Sequence, residues 1–313
     1  MQNQTKVLIS SVYGPVESWR LGKSLGIDLV MDPSTCSFNC TYCQLGFIQK
    51  ITNKRKLFVR TKKVIKDFLF SNWKEADIIT FSGSGEPSLA KNIGEVIKEI
   101  KSLINEALCC YSLKSLGASS QDFRSGAIKK ITNKKIAILT NGTLFNDPQV
   151  REDVLNADVI SVKLDAPDNK TLQAINRPAT GINLETILTS IKKLKTDINT
   201  STHQHKITLQ VQTMFMPQNK NQIEELAKLL NEIKPDEVAL NTPTRPYPSN
   251  WDIITRGAHG DDIKKIKFPT KPLKQLTHKE AEEIENKLSE LTGLKIISVF
   301  EPKPSFEHSY KKV

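Results

Sequence analysis

Residues 135–164 read KIAILTNGTLFNDPQVREDVLNADVISVKL, and this stretch contains the pattern that decides the fold. Lys135–Thr140 and Asp158–Leu164 are short runs rich in β-branched residues, and a longer helix-like segment separates them. A strand, a helix and a second strand in this order favour two parallel strands joined by a helical crossover.

The same alternation extends in both directions along the chain. Helical spacing of apolar residues predicts further helices at Val64–Phe70, Leu184–Leu194 and Asn221–Ile233. Further strand-like runs are Ile27–Val30, Asp77–Ser82, Lys206–Phe215 and Glu237–Asn241. Six strand–helix units without a dinucleotide fingerprint predict an α/β fold, a parallel (βα)6-type partial TIM barrel. In such folds the chemistry takes place at the C-terminal ends of the strands.

The pattern changes near residue 250, which predicts a small C-terminal α/β extension. Pro243–Pro272 has no clear periodicity and is predicted to be an ordered loop or linker. Thr277 and Glu280 form a capping-box sequence, Gly293 marks the helix end, and Lys295–Phe300 predicts a last strand. We therefore expect a partial-barrel core with an N-terminal lead-in over residues 1–250 and a loop, helix and strand extension over 251–313.

Composition excludes several classes of protein. Hydrophobic residues make up 38% of the 313 residues, enough for a sizeable core, so global disorder is excluded. Five cysteines are too few for a disulfide-dense secreted scaffold, and no signal peptide or membrane-spanning run is predicted. We expect a soluble cytoplasmic protein without a membrane partner.

The net charge of +11 fits nucleic acid, anionic small molecules or acidic partners. The excess, however, is mostly lysine and is spread thinly, which is also typical of solvated surfaces.

Three cysteines are packed into Cys36-Ser37-Phe38-Asn39-Cys40-Thr41-Tyr42-Cys43, with the spacing C-x3-C-x2-C. Thiolates are soft ligands that select iron–sulfur clusters, zinc or copper. Structural zinc needs four ligands, and no second cysteine pair or nearby paired histidine is present. Three thiolates on a [4Fe–4S] core would leave one iron open to another ligand. A zinc site or a loop of buried thiols remains the alternative.

This motif resembles that of the radical S-adenosylmethionine (SAM) enzymes. The resemblance implies that Cys36, Cys40 and Cys43 hold a [4Fe–4S] cluster and that Tyr42 packs near the adenine of SAM. It also implies that the segment Ser82–Pro87, with Gly83, Gly85 and Glu86, holds the methionine amino group of SAM. A bare glycine-rich turn after a strand is the alternative for this segment.

Further positions take candidate roles from the same resemblance. Asn141 is expected at the mouth of the barrel beside SAM, although Asn-Gly is also a common turn pair. By strand alternation Lys163 and Asp165 share one face. Lys163 could pair with the methionine carboxylate and Asp165 could meet the ribose or the substrate, whereas a solvated strand end is the alternative.

The resemblance is closer to a group usually described as related to wyosine-base synthases or to the molybdenum-cofactor cyclase. It rests on Gly14-Pro15, residues 20–28, Cys43–Gly46, Phe81–Pro87, Ile175–Pro178 and Asn241–Pro243. Two departures stand out. Residues 17–20 read Glu-Ser-Trp-Arg where that group commonly has Pro-Ser-Arg-Arg, and residues 44–46 read Gln-Leu-Gly instead of the Trp-Arg of wyosine synthases.

The resemblance implies an oxidoreductase-type enzyme that cleaves SAM reductively to a 5′-deoxyadenosyl radical. That radical would abstract hydrogen from an unidentified substrate, a small molecule or cofactor precursor or a tRNA base. A reducing electron donor such as ferredoxin or flavodoxin is expected. An iron–sulfur redox or structural metal-binding protein without SAM chemistry is the alternative.

Some residues carry weaker expectations. Arg20, Arg177 and Arg245 are candidate anchors for substrate or SAM, because arginine suits bidentate capture of phosphate or carboxylate. Cys109 and Cys110 are expected to be inert buried thiols. Residues 109–134 are expected to form an irregular surface excursion between two strand–helix units.

Overall fold

The protein is described by a computed structural model that covers residues 9–115, 134–202, 205–258, 266 and 268–300. The helices are α1 Thr61–Leu69, α2 Ile93–Ser115, α3 Pro148–Val154, α4 Asn169–Ile175, α5 Leu184–Thr200, α6 Ile223–Ile233 and α7 His278–Thr292. The strands are β1 Val12–Ser18, β2 Gly22–Ile27, β3 Thr35–Cys36, β4 Lys50–Ile51, β5 Ile78–Phe81, β6 Lys135–Thr140, β7 Val159–Lys163, β8 Thr208–Met214, β9 Glu237–Asn241, β10 Tyr247–Pro248, β11 Thr270–Lys271 and β12 Ile296–Ser298.

Eight of these strands form one sheet in the order β1-β2-β5-β6-β7-β8-β9-β12. The β1–β2 pair is antiparallel and every later pair is parallel. The sheet curls into a half-barrel, which confirms the predicted partial TIM barrel of α/β type. Each parallel connection is long enough to contain a helix, as a parallel crossover requires.

Strand alternation separates the apolar core from a polar interior. In β7, Ile160 and Val162 belong to the hydrophobic core, whereas Ser161 and Lys163 line a cavity inside the half-barrel. In β8, Leu209 and Val211 join the core in the same way, and Gln212 lines the cavity. Successive side chains point to opposite faces of a strand, so the helices cover the apolar face and the other face remains available for a ligand.

The first predicted strand is wrong in position. The chain predicts a strand at Ile27–Val30, but β2 ends at Ile27. Beyond it the Asp28 carboxylate accepts hydrogen bonds from the backbone N–H groups of Val30 and Met31, at 3.0 and 2.9 Å. Met31 has a φ of 61°. An aspartate that bonds its own following backbone makes a turn, and this turn stops the strand before the cysteine loop.

The expectation for residues 109–134 is also corrected in part. Helix α2 continues through residue 115, so residues 109–115 are helical and not irregular. Residues 116–133 and the side chains of Cys109 and Cys110 lie outside the part of the chain that the structure describes.

The C-terminal helix begins and ends as predicted. The Thr277 hydroxyl accepts the backbone N–H of Glu280 at 3.2 Å, and the Glu280 carboxylate accepts the backbone N–H of Thr277 at 2.8 Å. Gly293 ends α7 with a φ of 64°, a conformation that glycine adopts without strain.

The domain boundary near residue 250 stays a prediction. Two contacts join the C-terminal extension to the core. Strand β12 pairs in parallel with β9 in the main sheet. Arg256 pairs with the buried Asp28 at 2.9 Å. Among the described residues, no helix is both long enough and apolar enough to cross a membrane.

Candidate functional site

The cysteine loop follows β2 and is tied to its surroundings by backbone hydrogen bonds. Strand β3, which ends at Cys36, pairs with β4, and the N–H of Thr52 donates to the carbonyl of Cys36 at 2.9 Å. The N–H of Thr41 donates to the carbonyl of Ile175 at the end of α4, at 2.8 Å. Phe38 is buried in the hydrophobic core between two of the cysteines. The loop is therefore held on both sides.

Two of the three sulfurs accept N–H groups from asparagine side chains. The Nδ2 of Asn141 is 3.6 Å from the Cys36 Sγ, and the Nδ2 of Asn176 is 3.5 Å from the Cys40 Sγ. The backbone N–H of Phe38 also points at the Cys36 sulfur, at 3.4 Å. Such donors favour the negatively charged thiolate, which is the form that binds iron.

Burial opposes the thiolate when no metal is bound. It raises the pKa of Cys36 and Cys40, and it raises the pKa of Cys43 to about 12. Lys163 acts in the other direction on Cys40 and Cys43, because its positive charge lowers the pKa of both. A cluster with positively charged irons would supply the remaining stabilisation of the thiolates.

The donor set fits a [4Fe–4S] cluster. Cys36, Cys40 and Cys43 lie in one short loop and line the same cavity, and side-chain N–H donors are directed at two of the sulfurs. Cysteine thiolates are the usual protein ligands of such clusters.

The three cysteines share one cavity with most of the predicted SAM contacts. Its volume is about 340 Å³. Of the predicted residues, those that line it are Cys36, Cys40, Tyr42, Cys43, Gly83, Gly85, Glu86, Asn141 and Lys163. The assignment of these residues to SAM stays a prediction, and their convergence at one cavity is an observation.

Asp165 lies behind the cavity wall and not on it. Its carboxylate accepts the hydroxyl of Tyr42, the Nδ2 of Asn176 at 2.6 Å and the backbone N–H of Met214 at 2.8 Å. Burial and the neighbouring carboxylate raise the pKa of Tyr42 well above its usual range, so the phenol keeps the proton that it donates. With three protein donors, Asp165 positions Tyr42 and is not directed at a ribose.

Asn176 was not among the predicted site residues. Its one amide group donates to both Asp165 and the Cys40 sulfur, so it connects Tyr42 to the cysteine loop. Its Oδ1 is buried and, in the described part of the chain, has no hydrogen-bond partner. The only signal in the sequence was its place in the Ile175–Pro178 segment, which carries no chemical information by itself.

Glu86 is used mainly by the protein itself. Its Oε1 accepts the N–H and the hydroxyl of Ser88 and the hydroxyl of Thr140, at 3.0, 2.6 and 2.6 Å. Its Oε2 accepts the backbone N–H of Asn141 at 2.8 Å. Burial raises its pKa, against the effect of these donors. One oxygen is saturated, and only Oε2 retains acceptor capacity toward a ligand.

The two glycines of this segment are required by close packing. A Cβ on Gly85 would stand 1.7 Å from the Thr35 carbonyl oxygen, and a Cβ on Gly83 would stand 2.4 Å from the Asp28 Cγ. The φ of Gly83 is 145°, which also disfavours a side chain. These contacts press the segment against the cysteine loop, where the N–H of Glu86 donates to the Thr35 carbonyl at 3.0 Å.

Lys163 and Asn141 lie at the cavity wall next to the cysteine loop. The Lys163 Nζ is 4.9 Å from the centre of the Tyr42 ring, a cation–π distance. The Asn141 Nδ2 donates to the Ser37 hydroxyl at 2.8 Å as well as facing the Cys36 sulfur. Both side chains therefore combine a local structural contact with access to the cavity.

The three candidate arginines separate into two groups. Arg20 and Arg245 line the cavity, whereas Arg177 does not. Arg177 has a φ of 48°, and its charge acts on the phenol of Tyr247 outside the cavity.

Comparisons with known proteins agree with this geometry. The family model of the radical SAM superfamily matches residues 33–230 of this chain. The UPF0026 protein slr1464 of Synechocystis is 40% identical over 287 residues, which is 90% of this chain and 92% of that protein. The UPF0026 protein MJ1312 of Methanocaldococcus jannaschii is 32% identical over 78% of this chain and 68% of that protein.

A similar fold is found in the solved structure of TYW1 with a lysine–pyruvate adduct bound. The TM-score is 0.51 and the sequence identity is 14%, over 88% of this chain and 77% of that one. Membership of the superfamily implies a [4Fe–4S] cluster and SAM as cofactors and supports radical chemistry in general. The chain therefore belongs to the radical SAM superfamily, among the UPF0026 proteins.

Proposed function

We propose that this protein is an enzyme that cleaves SAM reductively and uses the resulting radical to abstract a hydrogen atom from a small-molecule substrate. One observation carries the proposal: the three cysteines, Tyr42 and four residues of the Ser82–Pro87 segment line one cavity inside the half-barrel. When bound, the cluster and SAM supply the electron transfer and the 5′-deoxyadenosyl radical. The chain would bind and orient the cluster and SAM and prevent side reactions.

The proposed residue roles combine the family resemblance with the contacts that each side chain makes. Cys36, Cys40 and Cys43 would hold the cluster, with Asn141 and Asn176 donating to two of the sulfurs. Tyr42 would pack against the adenine of SAM. Asp165 acts through Tyr42, because it accepts the phenol hydroxyl and so restricts rotation of the ring.

The charged groups of SAM would find complementary partners in the same cavity. The Nζ of Lys163, at the cavity wall, would pair with the methionine carboxylate. The Oε2 of Glu86 would accept a hydrogen bond from the ammonium group, since Oε1 is already saturated.

The test begins with anaerobic reconstitution of the full chain with iron and sulfide. SAM and dithionite are then added, and 5′-deoxyadenosine is measured by mass spectrometry. The wild type should bind about four irons and produce 5′-deoxyadenosine, and Cys40→Ala should abolish both. Cys110→Ala, a cysteine outside the motif, is the matched control and should retain both. A wild-type protein that takes up no cluster and binds no SAM would refute the proposal.

A tRNA base is the second candidate substrate, and the net charge of +11 favours it. It predicts tRNA binding whose affinity falls steeply as salt is raised. Absence of tRNA binding at low salt would remove this candidate and leave the small molecule.

The electron donor is proposed to be an acidic protein of the ferredoxin or flavodoxin type, docking beside the cysteine loop. Strand β4, which contains Lys50, is paired directly with β3 and Cys36. The segment from Phe47 to Lys66 exposes six positively charged side chains and three apolar side chains. The cations are Lys50, Lys54, Lys56, Arg60, Lys62 and Lys66, and the apolar residues are Phe47, Ile51 and Leu57.

Opposite charges speed the encounter of two proteins, so reversing the charge of Lys50 and Lys54 should slow turnover driven by flavodoxin at low salt. The same double variant should leave turnover driven by dithionite unchanged, because that small reductant needs no docking surface. Lys274→Glu, an exposed lysine in the C-terminal extension, is the control. Equal flavodoxin-driven rates in the wild type and the double variant would contradict this docking site.

A further inference from the structure

Arg20 enters the half-barrel from the end opposite to the cysteine loop. It lies in the turn between β1 and β2, where Ser18 pairs with Gly22, whereas the cysteine loop follows the other end of β2. Six strand residues span about 20 Å. The guanidinium nevertheless reaches across the interior to β8, where its Nη1 donates to the Gln212 Oε1 at 2.6 Å.

The hydrogen-bond partners of Arg20 are neutral. Among the described residues, its acceptors are the Oε1 atoms of Gln212, at 2.6 Å, and Gln210, at 3.5 Å. Gln210 is itself engaged by the Ser161 hydroxyl at 2.7 Å and by Glu237 at 2.6 Å. The nearest influence of opposite charge is Glu237, which acts on Arg20 electrostatically without an ion pair of 4.0 Å or less. The Nε and Nη2 groups of Arg20 are therefore left for a ligand.

Arg245 brings a second guanidinium to the same cavity. It follows the C-terminal end of β9, which lies at the same end of the sheet as the cysteine loop because β9 and β2 run in the same direction, and it lines the cavity together with Arg20. Burial lowers the pKa of Arg20 and of Arg245 to about 10, and the charge of Arg245 contributes to the lowering at Arg20. Two like charges in one partly buried space disfavour each other, and an anion between them would reverse that cost.

Arg20 is separated from the cysteine loop by polar side chains. Gln212 on β8 is the strand neighbour of Lys163 on β7, and Lys163 lies over the Tyr42 ring. The wall of the cavity therefore runs from the cysteine loop through Lys163 and Gln212 to Arg20. Lys163 is the cation proposed to meet SAM, and the Arg20 guanidinium lies one step beyond it.

We infer that Arg20 and Arg245 form an anion subsite, and that the substrate is a small molecule carrying a carboxylate or phosphate group that binds there. Naming the occupant as the substrate rests on the proposed function; the subsite itself does not. Arginine presents planar pairs of N–H donors that match both anions. Both arginines line the cavity that the cysteine loop also lines, so an anion bound by them would place the rest of the substrate inside that cavity.

The test measures binding of inorganic phosphate and of succinate to the full chain with its cluster reconstituted. The two probes distinguish a phosphate subsite from a carboxylate subsite. Arg20→Gln and Arg245→Gln should each raise the Kd of the preferred anion about tenfold or more, as expected for loss of a charged hydrogen bond. Arg20→Lys keeps the charge but loses the paired donors, and should give an intermediate Kd. Lys228→Gln, which removes an exposed positive charge on α6, is the control and should change the Kd by less than twofold.

The same preparations report whether the arginines bind SAM instead. The affinity for SAM should be the same in Arg20→Gln as in the wild type, and SAM should not compete with the anion. Equal anion affinity in all variants would overturn the inference. It would also be overturned if SAM affinity fell together with anion affinity and saturating SAM displaced the anion.

Failure of the proposed function gives a different result. Arginine-dependent anion binding by protein that takes up neither iron nor SAM would support the subsite and refute the proposed function alone. A melting curve of each variant without anion checks folding. Because Arg20→Gln removes one of two like charges, we expect its melting temperature to equal or exceed that of the wild type.

Discussion

Replacement of Asp165 by asparagine tests the group of side chains that joins Tyr42 to the cysteine loop. The carboxylate accepts three donors: the Tyr42 hydroxyl, the Asn176 Nδ2 at 2.6 Å and the Met214 N–H at 2.8 Å. Asparagine has nearly the same shape but only one acceptor oxygen. Its NH2 group must therefore point at one of these hydrogen-bond donors, and no hydrogen bond can form there.

The expected cost follows from the bonds that are lost. The Tyr42 and Asn176 bonds share Oδ2, so turning the amide either way sets a donor against a donor and removes the charge from every remaining bond. Hydrogen bonds to a charged group contribute about 1.5–3 kcal/mol each. We expect Asp165→Asn to reduce the free energy of unfolding by about 3–5 kcal/mol, which corresponds to a fall in melting temperature of about 5–8 °C in a chain of this size.

The assay is thermal unfolding of the protein without its cluster, followed by circular dichroism, with three reference variants. Tyr42→Phe removes one donor and should cost about 1.5–3 kcal/mol. The double variant should be less destabilised than the sum of the two single variants, because both remove the same bond. Glu283→Gln, an exposed carboxylate on α7, should change stability by less than about 0.5 kcal/mol. Strict additivity, or an Asp165→Asn protein as stable as the wild type, would refute the reasoning.

Two further predictions concern how the cysteine loop is held. Arg256→Met leaves the buried carboxylate of Asp28 without its ion-pair partner at 2.9 Å; loss of about 3 kcal/mol of unfolding free energy is expected in urea titration, and wild-type stability would show that the pair is dispensable. Gly85→Ala places a methyl group against the Thr35 carbonyl. The free energy of unfolding should fall by about 3 kcal/mol or more, and iron uptake on reconstitution should fall with it. Gly181→Ala, where no atom lies within 4 Å of the added carbon, should cost about 1 kcal/mol and leave iron uptake intact; equal iron uptake in both variants would contradict the close-packing argument.

The regular elements could be predicted from local patterns. Lys135–Thr140 and Glu237–Asn241 are strands with the bounds that their apolar runs predict, and α6 follows its helical periodicity to the predicted end at Ile233. The N-cap of α7 at Thr277 and its C-terminal end at Gly293 could be predicted because both depend on residues within one turn of the helix end. The prediction failed at Ile27–Val30, where the Asp28 carboxylate accepts the backbone N–H groups of Val30 and Met31, and this turn ends the strand although the neighbouring residues are apolar.

The candidate site was predictable only where its residues form a motif. Cys36, Cys40 and Cys43 are close in sequence, and the glycines of Ser82–Pro87 follow a strand that the sequence predicts. Asp165 was expected to face a ligand, but it supports Tyr42 instead, since alternation along a strand does not apply beyond the strand's end at Lys163. Asn176 was missed, because a single asparagine after a helix carries no signal of the cysteine 136 residues before it.

The sequence by itself determined the order of strands and helices, the half-barrel that this order builds and the three-cysteine loop. These are set by periodicity and by spacing within a few residues. Only the tertiary structure decided which polar groups share the interior. Arg20 meets Gln212 across 192 positions of the chain, and Arg256 meets Asp28 across 228. Such pairs form because folding brings distant segments of the chain together, and buried polar and charged groups then need partners that no local pattern can specify.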